Sequence, residues 1–112
     1  MKINDLLIIK EKRIWVSYEI ATLLKSKGFD KDCIYHFKVS LTEPEKHTNI
    51  PTFEVKHPFG ANHNLIPTRV SAPVWSQAID WVYEKTDNII MYNPKFTLPF
   101  LLTEFETALK RI

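Results

Sequence analysis

Apolar residues recur at helical spacing in three stretches of this chain, and each stretch carries its own start signal. Ile20, Ala21, Leu23 and Leu24 form one stripe, with Glu19, Thr22 and Ser26 on the outer side, which predicts a helix over Tyr18–Lys27. Ser17 is placed to cap its first turn, Gly28 to supply the left-handed stop and Phe29 to fold back on the last turn. Trp75, Ala78, Ile79 and Val82 form the second stripe, opened by Ser71-Ala72-Pro73 and closed by Thr86-Asp87-Asn88. Pro73 is expected in its first turn, where a missing N–H is tolerated. The third helix is predicted over Glu104–Ile112, with Phe105, Ala108, Leu109 and Ile112 as its apolar face. Thr103 and Glu106 have capping-box spacing, and Glu106 and Lys110 are an i,i+4 pair worth about 0.2–0.5 kcal/mol.

Between the first two helices the period changes to two. Cys33, Tyr35, Phe37 and Val39 alternate with Ile34, His36 and Lys38, which predicts a strand, and Phe53–Lys56 repeats the pattern briefly. Ile89–Tyr92 reads as a further strand, followed by a turn at Asn93-Pro94. Lys95–Leu98 is a possible return strand, which Pro99 confines to an edge. Residues 40–73 hold Pro44, Pro51, Pro58, Pro67 and Pro73 with Gly60 and Asn62-His63-Asn64, which is loop chemistry. Residues 1–16 fit either a hairpin of Leu6–Ile9 and Ile14–Val16 around Lys10–Arg13, or a short helix followed by extended chain. The expected architecture is α+β: one domain spanning 1–112, with three short helices packed on one face of a small antiparallel sheet of three to five strands.

Composition narrows the setting. At 112 residues, 45% hydrophobic and 12% aromatic, the chain can bury a core without staples. A lone cysteine, Cys33, excludes an internal disulfide framework and fits a reducing compartment. The apolar run Leu6–Ile9 is too short for a signal-peptide core or a membrane span, so a cytoplasmic protein with no membrane partner is expected. The net charge of +2 is spread without a basic face, which does not favour nucleic acid as the partner.

Four features of the chain could carry chemistry. Cys33 and His36 have C-x-x-H spacing, but an odd separation on a strand sends the two side chains to opposite faces, leaving a buried thiol and a surface or edge imidazole. His47, His57 and His63 lie in the proline-rich region at spacings that match no regular metal-binding element. No nucleophile elbow, H-E-x-x-H or catalytic-cysteine signature is present, and two glycines cannot build a phosphate cradle. Ser17–Phe29 has the cadence of the first helix of a helix-turn-helix, yet strand alternation follows where the recognition helix should lie. The sequence thus assigns no catalytic, cofactor-binding or metal-ligating residue. Trp81 lies on the flank of the second helix's stripe, beside Val74. A helix resting on a sheet buries a broad stripe, so Trp81 either covers the edge of that stripe or, with Val74, forms the candidate interface, since tryptophan is enriched at the centres of contact surfaces.

Two segments together resemble short uncharacterised proteins carried by phage-like elements of gut anaerobes. They are Ser17–Phe29, which follows S-x-E-x-A-x-L-L-K-x-K-G-F, and Ser71-Ala72-Pro73 with Ala78 and Trp81-Val82-Tyr83-Glu84, which follows A-P-T-x-x-x-A-x-x-W-L-x-E. This chain has Val74 and Val82 where Thr and Leu are usual. The resemblance implies a phage-derived setting and carries no activity. The function expected is therefore a non-catalytic binding or assembly protein with a protein partner or self-association. A nucleic-acid-binding accessory protein is the alternative.

Overall fold

The computed structural model describes residues 14–43, 46–48, 50–53, 60–93, 95–110 and 112. Expectations placed on Leu6–Ile9, the turn at Lys10–Arg13, Glu54–Lys56, His57 and Pro94 lie outside those residues.

The first helix, α1 (Tyr18–Ser26), forms as its local signals dictate. The Ser17 hydroxyl accepts the Ile20 N–H at 3.3 Å, and Ile20, Ala21 and Leu24 are buried. At the other end Phe29 N–H bonds Leu24 O at 3.0 Å and Gly28 N–H bonds Lys25 O at 3.1 Å, with Gly28 at φ +90°. This is the Schellman arrangement, and it turns Phe29 into the core at 2% exposure.

β1 (Tyr35–Lys38) pairs antiparallel with β3 (Arg69–Ser71), in register Phe37 with Val70, and with the two-residue β2 (Thr52–Phe53), giving the order β2-β1-β3. His36 and Phe37 are both buried. Neighbouring strand residues face opposite ways, so β1 is covered on both sides. Phe37 meets Tyr18 of α1 edge-on at 5.4 Å, and the His36 ring lies 4.4 Å from that of His63. The second cover is a 3-10 turn, His63–Leu65, from the proline-rich region. Two expectations are corrected here. The sheet is a middle layer rather than a floor for all the helices, and His36 is an interior residue rather than a surface imidazole.

β3 lies where the sequence predicts a helix start at Ser71, which corrects that expectation. Ser71 is its last residue, Pro73 precedes the next helix, and Pro73 O accepts the Val16 N–H at 3.0 Å. The helix α2 (Trp75–Thr86) starts from Val74 with no side-chain cap and ends at Asp87, which takes the left-handed conformation at φ 60°. Trp75, Ala78, Trp81, Val82 and Thr86 are its buried residues. Beyond it, residues 88–93 run without strand pairing among the described residues, which corrects the strand expected over Ile89–Tyr92. Their exposure still alternates, with Ile90 buried and Ile89 and Met91 exposed, and Tyr92 stacks on Trp75 at 4.7 Å.

The last helix, α3 (Leu98–Leu109), begins six residues before the expected start. Thr97 is its cap, accepting the Phe100 N–H at 3.3 Å, and Pro99 sits in the first turn. Thr103 is mid-helix and donates its hydroxyl to Pro99 O at 3.0 Å, so it caps nothing. Lys95–Leu98 is accordingly the approach to a helix rather than a return strand. Leu101, Phe105, Ala108 and Leu109 are the buried face, whereas Ile112 is exposed. None of the helices is long and apolar enough to cross a membrane, among the described residues.

Candidate functional site

The chemistry-bearing side chains of the proline-rich region converge on backbone. Gly60, at φ +95°, lets the chain run close enough to Cys33 for a bridge: Cys33 N–H bonds Ala61 O at 2.8 Å and Ala61 N–H bonds Cys33 O at 3.0 Å. His63 then places Nε2 3.0 Å from the same Cys33 carbonyl. A carbonyl can only accept, so Nε2 carries the proton and Nδ1 is the acceptor in the neutral ring. Arg69 Nη1 lies 3.4 Å from that Nδ1. The adjacent Asn64 accepts the Ser71 N–H at 2.8 Å and donates to Phe29 O at 3.0 Å.

One turn thereby ties the end of α1, the approach to β1 and the outer edge of β3. An outward carbonyl of that edge, Arg69 O, accepts from Lys25 Nζ at 2.8 Å. Burial holds the Lys25 ammonium below its ordinary pKa. An edge blocked by side chains cannot pair with another strand.

Cys33 is part of this frame. Its Sγ lies 3.6 Å from Gln77 Oε1 of α2, and Gln77 Nε2 donates to Asp32 O at 2.7 Å. Burial pushes the thiol up to about 12, against a starting value of 9.0. A thiol held protonated in this way is a packing group rather than a nucleophile. Among the described residues no three His, Cys, Asp or Glu side chains converge on a metal-sized site. His47 stands apart from His63, stacked on Tyr18 at 3.6 Å with 10° between the rings.

The predicted interface pair separates. Trp81 is 2% exposed, with its ring edge-on to Phe29 at 5.4 Å. Val74 is exposed and bridges to Trp15. Trp81 therefore closes the flank of the core, because α2 buries a stripe wide enough to include it.

An unpredicted surface lies between α1 and α3. It is a groove of about 540 Å³ lined by Tyr18, Glu19, Thr22, Leu23, Leu102 and Glu106, among others. Half-buried Leu23 and Leu102 pack against the core and form its apolar part. The Thr22 hydroxyl donates to Glu19 O at 2.8 Å and the Ser26 hydroxyl to Leu23 O at 2.6 Å, so both turn back onto their own helix. Glu19, Thr22, Leu23 and Ser26 recur at i, i+3, i+4 and i+7, a second stripe beside the buried one. The ion pairs among the described residues are Lys31–Glu84 and Lys46–Glu43, so neither Glu19 nor Glu106 is neutralised by a described residue. The expected Glu106–Lys110 pair is not formed. Burial, then Glu19, raises the Tyr18 phenol above its ordinary value. Comparison with known protein families, curated proteins and solved structures returns no match for this chain.

Proposed function

We propose that this chain is a small, non-catalytic binding or assembly domain that holds a protein partner. A phage-derived origin is supported by its sequence resemblance, and a cytoplasmic setting by its lone buried cysteine. One observation carries the reading. His63, Cys33 and Asn64, whose side chains could serve chemistry, are bound up in holding the fold, while the groove between α1 and α3 keeps a helix-packing stripe and two carboxylates with no ion-pair partner among the described residues. The nucleic-acid alternative has less support, because the chain enters β1 where a recognition helix would follow α1.

The test uses a variant that fills the groove, Thr22→Trp, beside wild type. Quantitative capture from cells that produce the protein should recover one stoichiometric protein with wild type and lose it with Thr22→Trp. Capture indifferent to that substitution would contradict the groove as the binding surface. Titration with duplex and single-stranded DNA at two salt concentrations should give no tight complex; a steeply salt-dependent one would favour the alternative.

A further inference from the structure

Resting on the binding reading above, we infer that the occupant of the α1–α3 groove is a basic amphipathic helix of a partner protein. Three features of the groove converge on that occupant. Its shape is that left between two helices, with Thr22 and Ser26 small enough for a third helix to approach closely. Its apolar part is two leucines on different helices, Leu23 of α1 and Leu102 of α3, both half-buried. A helix laid along the groove would cover them with residues at i, i+3, i+4 and i+7, the helix-in-groove mode of recognition.

Charge fixes the chemistry of the occupant. Glu19 and Glu106 line the groove from opposite helices, and among the described residues no lysine or arginine lines it. The nearest cations on the same helices are engaged or set at their ends: Lys25 on Arg69 O at 2.8 Å, Lys27 toward Ile112 O at 3.5 Å, and Lys110 after the last turn of α3. His47, the other ionisable lining group, is stacked on Tyr18 and hydrogen-bonded through Nδ1 to Thr48 O at 3.2 Å. Both carboxylates are exposed, so an acidic helix would meet like charge at the rim, whereas a helix with lysines flanking its apolar stripe would meet opposite charge there. Such rim charges set partner choice and association rate more than raw affinity.

The probe is a pair of labelled synthetic helices of about 12 residues, roughly the length of α3. One alternates leucine and lysine at helical spacing, and the other leucine and glutamate. Fluorescence anisotropy with the full chain should show binding of the lysine peptide alone, weakened at least about tenfold in Glu19→Gln/Glu106→Gln, a loss of ~1.4 kcal/mol. Preference should reverse toward the glutamate peptide in Glu19→Lys/Glu106→Lys, with circular dichroism and melting showing the variants folded. Lysine-peptide binding unchanged by either double variant would overturn the inference. So would sedimentation showing a dimer that Thr22→Trp abolishes, since the occupant would then be a second copy. Should Thr22→Trp lose the cellular partner while the charge variants keep it, the basic helix fails and the binding reading stands.

Discussion

The Asn64 side chain closes the edge of β3 by accepting the Ser71 N–H at 2.8 Å, and its other end donates to Phe29 O at 3.0 Å. One amide thus joins the end of α1 to the sheet, using an acceptor and a donor at once. Asn64→Asp keeps the acceptor and replaces the donor with an oxygen facing a carbonyl. It should destabilise by about 1–3 kcal/mol in urea unfolding, comparable to Asn64→Ala. An Asp variant as stable as wild type would contradict the two-ended role.

The two glycines should respond unequally. Both have positive φ, so an alanine is strained at either. At Gly28 an added Cβ meets open space, whereas at Gly60 it comes 3.2 Å from the Cys33 carbonyl carbon. Gly28→Ala should cost about 1 kcal/mol and Gly60→Ala roughly 1–3 kcal/mol beyond that, because the hydrogen-bonded Cys33 backbone must also give way to the new Cβ. Equal losses would remove the close approach as the cause.

The helix boundary of α3 is tested by its two threonines. Thr97→Ala should cost about 1 kcal/mol through the lost cap, and Thr103→Ala within about 0.5 kcal/mol. The reverse order would restore a start at Thr103. Phe105 is fully buried, so Phe105→Ala should cost about 3–5 kcal/mol.

Those boundaries show what was legible from local signals. α1 was read almost to the residue because Ser17, Gly28 and Phe29 act within one turn of the helix. α3 was misplaced because Thr103 and Glu106 satisfy the spacing of a capping box, while Thr97-Leu98-Pro99 looks like a strand meeting a proline. Nothing local distinguishes the cap that forms from the one that does not; the burial of Leu101 does. β3 is three residues long, too short to show a period, and its Ser71 mimics a cap. His36 was read on a wet face because alternation cannot report that residues 60–66 fold over it. The groove joins helices separated by some seventy residues of sequence, and its two carboxylates come together only when α1 and α3 meet.

Cys33 makes a prediction in pH. Its folded pKa of about 12 lies above the starting value of 9.0, so the unfolded state loses its proton first as pH rises. The stability linked to this thiol is therefore complete below about pH 9 and is lost progressively as pH rises from there toward 12. Cys33→Ala should flatten that limb of the curve. Native protein should resist thiol alkylation at pH 8 and become reactive on unfolding; rapid labelling of folded protein would contradict the buried, protonated thiol.

One comparison tests whether His63 holds the fold while the groove carboxylates are left to the proposed partner. Urea unfolding of His63→Ala and of Glu19→Gln/Glu106→Gln should give opposite results. Removing the His63 bond to Cys33 O, 3.0 Å long and fully buried, should cost about 2–4 kcal/mol. Neutralising the groove carboxylates should change stability by no more than about 0.5 kcal/mol. A stable His63→Ala protein, or a double glutamine variant that unfolds readily, would contradict that assignment of roles.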